Sequence, residues 1–214
     1  MRMRNKGCRD ACAEPRKNAA TRIFETARDL FYQRGIRAVG VDEIVCQAGV
    51  TKPSLYRSFD SKDELVAACL QSFADEAKAE LDARLRAAGD DPLAQLRALI
   101  GHYAEKLSRP DFRGCPMSNT AVEFPEAGHL GRAVAETCKM ETRERVVDIA
   151  RRLPVGDPET LADGLMLLIE GAFSIHHLFG SQGPSQCLVE TADRLIDAHL
   201  QAGQAAKTKR ARAG

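Results

Sequence analysis

GVTKPSLYRSF, residues 49–59, is the stretch on which the reading of this chain turns. Thr51 is suited to cap the first turn of a helix with its side-chain oxygen. Lys52 follows, and Pro53 sits in the first turn, where the amide it lacks has no partner inside a helix. Leu55 and Phe59 are four apart and fall on one face, which they anchor in a core. Ser54, Tyr56, Arg57 and Ser58 are left to face outward or sideways. Lys52 and Arg57 suit phosphates or guanine, Tyr56 a phosphate or a thymine methyl, and Ser54 either kind of partner.

Upstream, VDEIVCQA (41–48) is a second short helix, joined to the first by Gly49. Two short helices meeting at a glycine turn make a helix-turn-helix. Before it, Ile23, Phe24, Ala27, Leu30 and Phe31 recur at helical spacing and predict a first helix over about 16–34, stopped by Gly35. Downstream, DSKDEL (60–65) holds a capping box, Ser61-x-x-Glu64, that opens a fourth helix running to about residue 88 with Leu65, Cys69 and Phe73 on one face.

The order of these pieces, an apolar helix ending Arg34-Gly35 and then VDEIVCQAGVTKPSLYRSFDSKDEL, closely resembles the DNA-binding domain of the TetR/AcrR family of transcriptional regulators. The resemblance covers about residues 18–66. It implies that 41–48 is the supporting helix and 52–58 the recognition helix, with Thr51, Lys52, Pro53, Ser54, Tyr56, Arg57 and Lys62 facing DNA. The sequence departs from the family pattern in two respects. Val39 and Gly40 stand where a Ser or Thr often caps the supporting helix, so a backbone amide near Gly40 takes over that phosphate contact. Ser58 stands where a histidine or tyrosine is common and receives no role.

Charge agrees with a basic head. Residues 1–62 hold 13 Lys or Arg against 7 Asp or Glu, net +6, and the rest of the chain holds 18 against 23, net −5. The basic end is the nucleic-acid end. With 44% hydrophobic and 29% charged residues the composition is globular. The start lacks the apolar stretch of a secretory signal and no apolar run is long enough to span a membrane, so a cytoplasmic protein with no membrane partner is expected. The 7 cysteines are scattered and include no C-x-x-C, which argues for reduced thiols. Cys8 and Cys12 have no histidine near them, and His176 and His177, adjacent on a helix, point about 100° apart. No metal and no cofactor is assigned.

The remainder reads as a helical body. Asp91-Pro92 starts a fifth helix carrying Leu93, Leu96, Ile100, Tyr103 and Leu107. Helices follow at about 116–124 and 128–152, the second with Val134, Cys138, Val146 and Ile149. Asp157-Pro158 starts the next, and a last helix spans about 185–202. Leu161, Leu165, Leu168 and Ala172, with Leu188, Ala192, Leu195 and Ile196, form two wide uncharged stripes. Gly164 and Gly171 would let another helix approach. The resemblance implies that these two helices pair with their copies as a four-helix dimer interface, which suits reading two half-sites of a palindromic or near-palindromic double-stranded operator; the alternative is that the stripes are simply core. It also implies a small-molecule effector held between body helices, for which the candidate lining is His102, Tyr103, Phe112, Cys115, Asn119, Phe124, Met140, Arg143, Met166, Phe173 and His176. Cys115, at the cap of the sixth helix near Arg113, is either a redox or electrophile switch or a small packed joint.

The expected protein is therefore all-α, about nine helices. An N-terminal three-helix helix-turn-helix domain (16–62) follows a mobile basic arm (1–15) and joins a larger C-terminal helical bundle for ligand binding and dimerisation (63–203), with a disordered basic tail (204–214). A homodimeric, ligand-responsive repressor is the expected function. A helical enzyme is the rival of another class, and the sequence carries no G-x-S-x-G, P-loop or H-E-x-x-H to support it.

Overall fold

The computed structural model describes residues 18–213, with side chains described through 209. The expected basic arm, with Cys8 and Cys12, lies outside the described residues. Among the described residues there are nine α-helices and no strand: α1 Ala19–Arg34, α2 Val41–Ala48, α3 Lys52–Tyr56, α4 Lys62–Ala87, α5 Pro92–Leu107, α6 Pro116–Glu123, α7 Leu130–Ala150, α8 Pro158–Phe179 and α9 Leu188–Ala213. Two short 3-10 turns, Gly180–Gln182 and Pro184–Cys187, join α8 to α9.

The helices begin where side chains meet their orphan amides. Asn18 accepts from the Thr21 amide at 2.8 Å, Asp91 from Ala94 at 3.0 Å and Asp157 from Thr160 at 3.0 Å. Pro92, Pro116 and Pro158 each occupy the first helical position. Ser61 accepts from the Glu64 amide at 3.1 Å, but the Glu64 carboxylate reaches the amide of Asp60 rather than that of Ser61. The capping box is thus offset by one residue.

Two apolar cores result. The head core joins Ile23, Ala27 and Phe31 of α1 to Ile44 of α2, Leu55 of α3 and Leu65, Val66 and Cys69 of α4, and it reaches Met117 of α6 and Ala135 of α7. The body core holds Leu96, Leu99 and Ile100 of α5, Val146 of α7, Leu161, Leu165 and Ile169 of α8, and Leu188, Ala192 and Ile196 of α9. Burying one such side chain contributes roughly 1.5–3 kcal/mol. Helix α4 begins in the head and runs unbroken into the body, so the boundary expected at 62/63 falls at the first residue of a helix that both cores share.

Two expectations about the C-terminal helices change. The tail expected to be disordered from 204 is helical through Ala213. From 204 to 213 the sequence is Ala, Gln, Lys and Arg with one Thr and no Gly or Pro, a composition that holds a helix without needing a core. Gly203 itself is required by a close approach: a Cβ there would lie 2.0 Å from the Pro154 carbonyl oxygen.

The eight residues assigned to a dimer interface are already used within one chain. Leu161, Leu165, Ala172, Leu188, Ala192 and Ile196 are buried in the body core, and Leu168 and Leu195 pack against it. Gly164 admits Leu195 of α9, whose Cδ2 would lie 2.9 Å from a Cβ. A second apolar stripe on α8 is left exposed. Leu167, Gly171 and Leu178 share it, with Ile175 and Phe179 beside them and Val189 at the start of α9. Helix α8 is apolar on two sides, which is the pattern of a helix covered on both.

Candidate nucleic-acid interface and ligand cavity

The outward face of α3 is held from below and left open above. Gly49, at φ 61° and ψ 40°, takes the left-handed conformation that reverses the chain between α2 and α3, a conformation that costs other L-residues strain. Arg22 of α1 braces this turn by donating to the Gly49 carbonyl at 3.2 Å. Leu55 is fully buried, and Phe59 is half-buried beside it. Thr51, Lys52, Pro53, Tyr56, Arg57 and Ser58 are exposed together, Tyr56 by 47% although it is aromatic.

Several of these residues have neighbours that sequence spacing alone did not foresee. Thr51 does not cap α3 with its side chain. Its hydroxyl instead shares a hydrogen bond with that of Ser54 at 3.0 Å, and Arg57 donates to the same Ser54 oxygen at 2.8 Å. Lys52 lies 3.0 Å from Asp42 in an exposed ion pair, weak enough for a phosphate to displace. Gly40 caps α2 in extended conformation with no side-chain bond and open space around it.

Lys62 differs from the other candidates. Its ammonium donates to the Ile36 carbonyl at 2.7 Å and lies over the Phe31 ring, and burial lowers its pKa from the ordinary value. It is placed as a strut between α4 and the α1–α2 turn.

That turn is also gripped from the body. The Glu123 carboxylate at the end of α6 accepts the amides of Ile36 at 3.1 Å and Arg37 at 2.8 Å. The Arg37 guanidinium stands 4.9 Å from the Phe124 ring, which stacks on His129 at 3.9 Å. Arg132 of α7 donates to the carbonyls of Ala121 and Phe124 and so closes the end of α6. At the other end of α6, Tyr32 of α1 accepts the Arg113 amide at 2.9 Å. Burial raises the Tyr32 pKa, so its hydroxyl stays protonated. Helix α6 therefore touches the head at both ends.

A cavity of about 230 Å³ lies between α1, α4, α5, α6, α7 and α8. Of the candidate lining residues, Tyr103, Phe112, Cys115 and Phe173 face it. Asn119 lines an adjoining 480 Å³ cleft that opens toward Glu123. His102 is buried behind Tyr103 and faces Glu80 at 3.8 Å, Met166 packs in the body core, and His176 stands behind Phe112 at 5.5 Å. Phe124 belongs to the head–body joint. Met140 is 62% exposed and Arg143 is paired on the surface with Asp163. Met140 lies about 200° round the helix from Cys138, which faces inward, so the inward residues of α7 are Cys138, Lys139 and Thr142.

Sequence reasoning missed the charges of this cavity. Lys139 pairs with Glu170, which also accepts from Ser118 at 2.6 Å. Burial works against the Lys139 charge, but Cys115 and Glu170 beside it hold its pKa above the ordinary value. A lysine interrupting an otherwise buried stripe was the available signal. Arg28 and Tyr32 were missed because they belong to α1, far in sequence from the body.

A family model for bacterial regulatory proteins of the tetR type matches residues 23–69. The transcriptional activator FasR of Mycolicibacterium smegmatis is 32% identical over 126 residues, 58% of this chain and 57% of FasR. The transcriptional regulator AcuR of Cereibacter sphaeroides is 30% identical over 148 residues, 65% of this chain and 68% of AcuR. This chain belongs to the TetR family. The match thus spans little more than half of FasR and about two thirds of AcuR. A solved TetR-family regulator from Streptomyces coelicolor, SCO4454, superposes with a TM-score of 0.75 at 27% identity, over 85% of this chain and 90% of that one. The part matched by the TetR-family model begins in α1 and ends in α4, and it encloses the Gly49 turn and the whole exposed face of α3.

Proposed function

We propose that the chain is a homodimeric, cytoplasmic, DNA-binding repressor of transcription that leaves its operator when a small molecule occupies the body cavity. The observation that carries this reading is the exposed set Thr51, Lys52, Tyr56 and Arg57 on a short helix whose Leu55 is fully buried. Such a helix presents donors and an aromatic ring to a groove while the core fixes its angle. Gly40 and the start of α2 add backbone amides for a phosphate. Lys62 supports the head from within.

The dimer reading moves from the buried stripes to the outer stripe of α8, where Leu167 is 75% and Leu178 79% exposed in a single chain. Pairing this stripe with its copy about a two-fold axis sets two heads for two half-sites about one helical turn apart. Repression needs only that the dimer occupy DNA. Activation needs a further surface for polymerase, and the most continuous exposed apolar stripe is the one assigned to the partner copy.

Release follows from the joint. Cys115, at the start of α6, lines the cavity, and Glu123, at its end, holds the α1–α2 turn. A ligand that fits a conformation with mis-spaced heads lowers operator affinity by its differential affinity for the two states. A second reading, in which Cys115 senses an electrophile, is favoured by its place with Lys139 in the cavity lining. Dilute alkylating agent followed by mass spectrometry separates the two: if Cys115 labels no faster than the other thiols, the electrophile reading fails.

The test of the main reading is selection of bound genomic fragments, followed by titration of the recovered fragment with the protein and with Tyr56→Ala. The variant should fold normally and lose at least about tenfold in affinity, about 1.4 kcal/mol. Unchanged affinity removes α3 as the recognition helix.

A further inference from the structure

The walls of the 230 Å³ cavity select a class of ligand, an inference that rests on reading this cavity as the effector site. One side is aromatic: Phe73, Phe112 and Phe173 line it, with the Phe112 and Phe173 rings 5.2 Å apart and tilted by 52°. This is the geometry into which a further flat ring packs. The volume is below the roughly 300–1,000 Å³ of pockets for drug-sized molecules, so one ring with a short chain fills it.

The polar groups are unbalanced toward donors. Tyr103 lines the cavity, and its hydroxyl makes no hydrogen bond to any described residue. The Arg28 Nε–H beside the cavity is buried without an acceptor. Lys139 brings an ammonium from α7. The carboxylates are all engaged: Glu76 by Arg28, Glu80 by Lys106 at 2.9 Å, and Glu170 by Lys139. A cationic ligand would find no free carboxylate, and a plain hydrocarbon would leave the Tyr103 hydroxyl without a partner.

We propose that this cavity binds a small aromatic carboxylic acid as its anion, with the ring among Phe73, Phe112 and Phe173 and the carboxylate accepting from the Tyr103 hydroxyl near the Lys139 ammonium. A carboxylate supplies the acceptor that the cavity lacks, and hydrogen bonds to a charged acceptor are the stronger kind. Because Arg28 and Tyr32 lie on α1, the same ligand presses on the head directly as well as through α6.

The test is calorimetric titration of the full chain, without DNA, using 3-phenylpropionate and the uncharged 3-phenylpropanamide of nearly the same shape. The acid should bind one per chain, with the amide at least about tenfold weaker. Tyr103→Phe should weaken the acid about fivefold to tenfold and leave the free protein's Tm unchanged or higher, since that hydroxyl has no partner to lose. No binding of the acid, or equal binding of acid and amide, overturns the proposal. The acid–amide comparison needs no variant, so it decides even if Tyr103→Phe does not fold. Operator binding by the ligand-free protein is read separately, so failure of the ligand assignment leaves the DNA assignment standing, and the reverse.

Discussion

Glu123→Ala removes the carboxylate through which α6 holds the head. It accepts two backbone amides, Ile36 at 3.1 Å and Arg37 at 2.8 Å, the first part-buried and the second exposed. A hydrogen bond to a charged group contributes about 1.5–3 kcal/mol when buried. Solvent screening at the exposed amide reduces this, so the pair together is worth about 2 kcal/mol. At 1.4 kcal/mol per factor of ten, that is about 30-fold in a local opening equilibrium. Native-state hydrogen exchange reads it residue by residue: the Ile36 and Arg37 amides should exchange about 30-fold faster in the variant, while amides of α5 keep their protection. Glu123→Gln retains one acceptor oxygen and should fall between. If both amides exchange at the parent rate in Glu123→Ala, the joint does not work through this carboxylate, and the path from cavity to head has to be sought through α1.

Leu178→Glu should convert the proposed dimer to monomer in sedimentation equilibrium with an unchanged helical spectrum, because Leu178 is 79% exposed in the single chain; a persisting dimer would place the interface elsewhere. Burial, and then the nearby Lys106, hold the His102 pKa below the ordinary 6.5. The unfolded chain therefore takes up a proton that the folded one resists, so stability should fall as pH drops through about 6.5, where the unfolded imidazole begins to charge. Tm measured from pH 7.5 to 5 should show a shallower acid decline in His102→Gln than in the parent.

Helix positions were legible where a start or stop carries its own chemistry: Ser61, Asp91 and Asp157 at caps, prolines at 92, 116 and 158, glycines at 35 and 49. The head was legible for a further reason, since Leu55 and Phe59 can be inward only if Tyr56 and Arg57 are outward. What a residue packs against was not legible. The stripes of Leu161, Leu165, Ala172, Ala192 and Ile196 are apolar whether they meet their own chain or a copy, and helical spacing cannot distinguish the two. The adjacent pair Leu167-Leu168 did carry a sign that α8 is covered on more than one side. The cavity failed for a different reason. Its lining comes from α1, α4, α5, α6, α7 and α8, and no local pattern joins Arg28 to Tyr103 or Lys139. Lys62 shows the same limit at a single residue, because only the fold brings the Ile36 carbonyl to its ammonium.

The face of α3 is tested most directly by the salt dependence of operator binding for the parent and for Arg57→Ala. Each phosphate contact contributes about 0.9 to the slope of log affinity against log salt. The parent should show a steep negative slope, and the variant, losing one contact per protomer, should be shallower by about 1.8 in the dimer. A flat response in the parent, or an Arg57→Ala variant with the parent's affinity and slope, would contradict the account.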